Sequence, residues 1–168
     1  MAELRTYGDP VLRKKSLPVA DFNDDIRAFI KELKADLYEY DGVGLASSQI
    51  GRNVRIFVID TSGGESDPLV FVNPELFDLS EEKVENEEGC LSIPDISLKV
   101  WRHATVSVRA LDEKGNPFTI ENANDLLARA LQHETDHLDG ILFVDRISPL
   151  QRKLIDGKLK KMARSRLE

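Results

Sequence analysis

A chain of 168 residues, 41% hydrophobic and 32% charged, holds enough apolar material for one packed core and is short for two ordinary domains. Its 23 Lys and Arg stand against 30 Asp and Glu, a formal net charge of -7, which argues against broad electrostatic binding of nucleic acid, DNA included. No apolar run is long enough to span a bilayer, and Met1 to Gly8 has neither a signal-peptide core nor a transit-peptide composition, so the expectation is a cytoplasmic protein with a single domain over 1–168 and no membrane partner.

In chain order, the first strong pattern is Ile26, Phe29, Ile30, Leu33, Leu37 and Tyr40, apolar residues at helical spacing behind Asn23 or Asp24 as N-cap; it predicts an amphipathic helix from Asp24 to Tyr40. The β-branched stretches Val54 to Asp60, Leu69 to Asn73, Ser97 to Val100 and Ala104 to Leu111 follow, punctuated by Gly, Pro and Asn, and read as mostly antiparallel strands. Glu113-Lys-Gly-Asn-Pro117 is a turn leading into a short strand, Phe118 to Glu121. A second helix is expected from Asn124, its candidate cap, to a stop at Gly140, and a third from Pro149 to about Arg164. Helix, strands, helix, helix is the order of an α+β fold rather than a doubly wound parallel sheet.

Chemistry concentrates in His133-Glu134-Thr135-Asp136-His137. Side chains four apart on a helix share a face, so both imidazoles can reach one metal ion, and Glu134 stands beside the first of them where a general base belongs. A helix with two surface histidines and ordinary acidic neighbours is the plain alternative, weakened because only three histidines exist in the chain. A catalytic site of this kind needs a third ligand and an open position. Downstream, Phe143 occupies the place where the extended protease motif carries a histidine, and Asp139 and Asp145 read as exposed turn residues. Upstream, the single cysteine, Cys90, excludes an intramolecular disulfide and lies in Glu87-Glu88-Gly89-Cys90-Leu91-Ser92. A lone cysteine is often a small buried hydrophobe, but beside a histidine pair it is the candidate third ligand.

Gly42-Val43-Gly44-Leu45-Ala46-Ser47-Ser48-Gln49 lacks the third glycine of a dinucleotide fingerprint and follows no strand, which makes a phosphate cradle a poor reading. Its glycines instead permit close approach of a peptide-like substrate, and Gln49 offers an amide donor to a developing oxyanion. Counting back along the metal-binding helix, Leu126, Arg129 and Ala130 fall on the face of His133 and, with Val43, are candidate walls of an apolar substrate pocket. Arg129 is the odd member, its stem free to pack and its guanidinium to reach solvent or a substrate carbonyl. Plain core packing by Leu126 and Ala130 is the alternative.

Together, Gly42-Val-Gly-Leu-Ala-Ser-Ser-Gln49, Glu88-Gly-Cys-Leu-Ser92 and Gln132-His-Glu-Thr-Asp-His-Leu-Asp-Gly140 resemble, in order, the three motifs of the peptide deformylases. The resemblance extends to Tyr7-Gly-Asp-Pro-Val-Leu-Arg13, Phe71-Val-Asn-Pro74 and Ser92-Ile-Pro94, and so to nearly the whole chain. It implies antiparallel sheets around a central metal-binding helix, with an N-terminal and a C-terminal helix; a monomer is the separate expectation for the chain. It implies a metal on Cys90, His133 and His137, ferrous iron in the cell, with nickel, cobalt or zinc as substitutes. It also implies removal of the formyl group from N-formylmethionyl nascent peptides, with catalytic roles for Glu134, the Gln49 amide and the backbone N–H of Leu91. Gly42, Val43, Gly44, Leu45, Glu88 and Gly89 would meet the substrate, and Arg102 would pair with Glu88. Two departures are Ser47, where the first motif usually has alanine, and His103, where many members have proline. From Pro149 onward seven basic residues face two acidic ones, +5 on a chain whose remainder carries -12; such a helix is usually a solvated face, but the substrate's origin makes it a candidate ribosome-docking tail.

Overall fold

The computed structural model describes residues 1–167; Glu168, the end of the expected 149–168 tail, lies outside them. Helix α1 (Asp24–Glu39) starts where the Asn23 side chain accepts the Ile26 N–H at 3.0 Å, satisfying one of the N–H groups that a helix start leaves free. Its buried stripe is Ile26, Phe29, Ile30, Leu33 and Leu37. Seven strands follow in order: β1 (Gly44–Ala46), β2 (Ile56–Ile59), β3 (Leu69–Phe77), β4 (Lys83–Cys90), β5 (Ile93–His103), β6 (Val106–Leu111) and β7 (Pro117–Ala123). Helices α2 (Asp125–Leu138) and α3 (Pro149–Ser165) complete the chain. The sheets are antiparallel, one of five strands in the order β1-β2-β3-β6-β7 and one made only of the hairpin β4–β5. This is the expected α+β arrangement, and among the described residues no helix is long and apolar enough to cross a membrane.

Strand alternation decides which helix each side chain meets. On β2, Ile56 and Val58 face α1 together with Leu45, Val70 and Val72. Phe57 and Ile59 face the other way and join Phe71, Val106, Val108, Ala128, Leu131 and Leu138 beneath α2. The large sheet is thus covered on both faces, and α2 is fixed between it and the hairpin. A third cluster, with Leu12, Ile93, Ile96, Val100, Phe143, Ile155 and Leu159, holds α3 and the N-terminal segment on the hairpin.

Several boundaries differ from the sequence expectation. Strand β4 was not expected, because Lys83-Val-Glu-Asn-Glu-Glu-Gly-Cys90 has no apolar alternation; it forms by pairing along β5, which runs well beyond Ser97 to Val100. The three-residue β1 was likewise hidden among glycines. Strand β3 continues past Asn73 because the register shifts between Val72 and Glu75, with Asn73 at φ 51°, so Pro74 sits in a bulge where no ladder N–H is required. The expected strand from Ala104 begins at Val106, since Ala104 N–H bonds Glu82 O in the turn from β5 to β6. Asn124 occupies the N-cap position of α2 without a side-chain cap bond.

Helix α2 ends as its sequence suggests. Gly140 takes φ 74°, and a Cβ there would lie 2.5 Å from the Arg13 carbonyl oxygen, a backbone atom with little room to retreat. Gly140→Ala should therefore cost about 2 kcal/mol, read as a lowered urea midpoint at unchanged slope. An unaltered midpoint would show that this approach is not tight.

Candidate metal centre

Three donors from two elements converge. The Cys90 Sγ and one ring nitrogen each of His133 and His137 lie within 4.8 Å of one another, with Sγ 3.3 Å from His137 Nε2. The histidines are one turn apart on α2, their ring centroids 5.0 Å apart. Cys90 ends β4 where the pairing slips between Gly89 and Cys90, which turns the sulfur from the hairpin toward the helix. Glu88 Oε1 lies 2.8 Å from His133 Nδ1 and fixes the tautomer that leaves Nε2 free to ligate. Among the described residues the group has no fourth member. A thiolate with two imidazoles suits zinc, iron, nickel or cobalt, and three ligands leave a position open, so the donor set fits a catalytic divalent ion.

The downstream candidates are occupied elsewhere. Asp139 pairs with Arg55 at 3.0 Å and Asp145 with Arg13 at 2.5 Å, while the Phe143 ring stacks beside His133 at 6.2 Å.

Around this group lies a cavity of about 770 Å³. Gly42, Val43, Gly44 and Gln49 form one wall, and Glu88, Gly89, Cys90 and Leu91 another. Leu126, Arg129, Ala130, His133 and Glu134 line it from α2, with Pro94 and Ile96 from β5. Glu134 is 4% exposed, its Oε2 has no hydrogen-bond partner, and its Oε1 lies 2.5 Å from where a Cβ on Gly44 would stand. The glycine is what lets the carboxylate in. The Gln49 amide is oriented at both ends: Oε1 accepts from Ala46 N–H at 2.9 Å, and Nε2 donates to Ser92 Oγ at 3.1 Å with Cys90 Sγ at 3.6 Å.

Residues 1–153 match the family model of the polypeptide deformylases. The chain belongs to this family. A peptide deformylase of Thermotoga petrophila is 42% identical over 165 residues, covering 98% of either chain, and one of Acidothermus cellulolyticus is 48% identical over 151 residues, 90% of this chain and 81% of that one. The crystal structure of a peptide deformylase from Legionella pneumophila superposes with a TM-score of 0.90 at 40% identity, covering 100% of this chain and 98% of the other. That of the Synechococcus elongatus enzyme in complex with actinonin gives 0.87 at 38%, over 94% and 87%.

One residue of this deformylase is placed otherwise than its sequence position suggested. Leu45 is fully buried under α1, paired with Val58 and absent from the cavity wall, because β1 alternation turns it away from Glu134. Arg129 lines the cavity as expected, and its guanidinium is engaged by the protein itself: it binds Glu88, Val100 O and Val84 O. Arg102 pairs with Glu88 through Nε and Nη2 at 2.8 and 2.9 Å, and through Nη1 with Asp136 at 2.6 Å. Asp136 was missed as a site-supporting residue; its position one turn from Gln132 on the buried side of α2 was the available signal. Ser92, which holds Gln49, carried none beyond its place in the cysteine motif.

The two glutamates beside His133 are driven in opposite directions. Burial by itself would raise Glu88, yet hydrogen bonds and charge from Arg102 and His133 hold it well below the usual carboxylate range. Burial pushes Glu134 up to about 7, only partly offset by His133. Unfolded, a glutamate releases its proton near about 4.3. The metal-free protein should therefore lose up to about 4 kcal/mol from this group as pH rises from about 4.3 through about 7. Metal-free Glu134→Gln should be the more stable protein at pH 8 and lose that advantage below pH 5, read by denaturant titration at both pH values. An equal difference at both would mean that Glu134 is not desolvated.

Proposed function

We propose that this chain hydrolyses the N-formyl group of formylmethionyl polypeptides as they are made, with Cys90, His133 and His137 holding one divalent ion, ferrous iron in the cell. The supporting observation is the partnerless buried carboxylate of Glu134 beside three converging donors at the wall of an open cavity. A divalent ion on this set supplies Lewis acidity, making water a better acid near neutral pH and polarising a carbonyl.

The chain's own groups do the rest. Val43, Leu126 and Ala130 offer an apolar wall to a methionine side chain, and Gly42 and Gly44 let the peptide backbone come close. Glu134 takes a proton from the attacking water as its oxygen bonds to the formyl carbon. When the C–N bond breaks, Glu134 returns that proton to the departing amine, and formate is released. A carboxyl pushed to about 7 suits both halves of this exchange. Gln49 Nε2 and the Leu91 N–H donate to the oxygen that becomes negative, each worth about 3 kcal/mol in the transition state. Glu88 acts through His133, and Arg102 through Glu88, to hold the ligand ring in orientation.

Formate release from a formylmethionyl peptide by anaerobically purified, iron-loaded protein, run beside a casein digest, is the deciding assay. Glu134→Ala should lower turnover at least about 1,000-fold while metal content stays near one ion per chain. No formate from the loaded protein, or an active Glu134→Ala, would reject the reading.

We place the enzyme in the cytoplasm as a single-domain monomer and read α3 as its ribosome-facing element. Lys153, Lys158, Lys160, Lys161 and Arg164 are exposed on it, beside Leu150 and Leu154, 69% and 73% exposed. Reversing Lys158 and Lys161 to Glu should weaken ribosome co-sedimentation several-fold and flatten its salt dependence, leaving formate release from a short peptide unchanged. Undiminished co-sedimentation would remove the role.

A further inference from the structure

The hairpin β4–β5 carries Cys90 and Glu88, yet it forms no hydrogen-bonded ladder with the large sheet. A two-stranded hairpin is marginal by itself, so the position of the sulfur depends on what fastens the hairpin to α2. At its open end the fastening is Gln132, which accepts the His103 N–H and donates to His103 O, both at 2.9 Å. Nearer the sulfur, Glu88 meets His133 and Arg102 meets Asp136, each from one strand, and Arg129 joins them from α2. Its Nη1 lies 2.6 Å from Glu88 Oε2 and 2.9 Å from Val100 O, and its Nη2 lies 2.8 Å from Val84 O. One guanidinium from the helix therefore grips both strands, and it does so from the residue one turn before His133. The rigid fork suits such a task, since its donors reach separate acceptors without separate rotors to order.

The partition of donors on Glu88 separates Arg129 from Arg102. Arg102 belongs to β5: its contact with Glu88 closes the hairpin on itself and its Nη1 reaches Asp136 on α2 at 2.6 Å, whereas Arg129 comes from α2 and binds both strands. Glu88 keeps two bonds from Arg102 and one from His133 when Arg129 is removed. The carboxylate would then still orient the His133 ring, while the carbonyls of Val84 and Val100 would lose their donor from α2 and the hairpin an α2 side chain that binds both its strands. We propose that Arg129 is a positioning residue that locks the β4–β5 hairpin to α2 and thereby sets how tightly the Cys90, His133 and His137 group holds its ion. The inference rests on the metal reading of that group, and it assigns Arg129 to the metal rather than to the substrate.

The test is cobalt(II) titration of the metal-free wild type, Arg129→Met and Arg129→Lys, following the sulfur-to-cobalt absorption band, with thermal unfolding of each metal-free protein. Arg129→Met should raise the cobalt dissociation constant about tenfold or more and alter the band, and Arg129→Lys should recover part of the loss. A general loss of stability would lower the unfolding temperature and leave affinity and band in the folded protein as they were, and that result overturns the proposal. Should Arg129→Met fail to fold, the lysine variant decides: weaker cobalt binding at a wild-type unfolding temperature supports the clamp, and unchanged binding overturns it. A wild type that binds no cobalt defeats the metal reading and this inference with it. A wild type and Arg129→Met that bind alike defeat only this inference.

Discussion

A carboxylate that is 6% exposed stays ionised only when its surroundings replace the water it has lost, and Glu88 is that carboxylate. Four donated bonds from Arg102, Arg129 and His133 meet its two oxygens. Arg102 passes on to Asp136, which is buried itself and gripped again by Arg146 through both oxygens. Each member of this network is costly to bury alone, so the hairpin, α2 and the turn after it can come together only with all partners in place. The ring of His133, one of the three converging donors, is the inner end of that chain of charges. The same interaction that lets the polar hairpin dock thus selects the ring's tautomer.

Apolar packing supplies what this network cannot, the depth at which α2 lies. Residues of β2 alternate between two cores, and the aromatic pair Phe57 and Phe71, centroids 5.0 Å apart, supports the underside of α2 through Leu131 and Leu138. With the helix seated there, its other flank faces the hairpin and its first turns face the cavity. The sulfur then needs only a local slip in strand register to point at the rings. A donor set spread over 48 sequence positions, Cys90 to His137, is held by one helix surface and one hairpin end.

Helices were legible because period and end signals agree: Asn23 before α1, Pro149 opening α3, Gly140 after α2. The two histidines and the cysteine were legible because few residue types can bind a soft divalent ion and the chain has so few of them. Strand β4 was not, since a strand whose side chains mostly face water carries no apolar period and exists only through its partner. Helical spacing put Arg129 on the cavity face and stopped there. Which acceptors a guanidinium reaches depends on a hairpin whose own path was illegible. Asp136 was missed for the converse reason: an acidic residue between two candidate donors looks solvated by type, and its place one turn from Gln132 was the one hint of the arginine from β5 that lies over it.

Glu88 and Glu134 show how little of a site's chemistry resides in residue type. Both flank His133, both are nearly inaccessible, and their carboxyls are driven apart, one held far down and one pushed to about 7. The difference is the company of fixed cations. Arg102 from the hairpin and Arg129 from α2 crowd Glu88, whereas Glu134 looks across a glycine into the cavity and has one oxygen with no partner at all. A carboxylate so satisfied can orient a ring but has no reason to accept a proton, and one left wanting can accept it and give it back. Exchanging the two environments would leave the same residues at the same spacing with neither role filled.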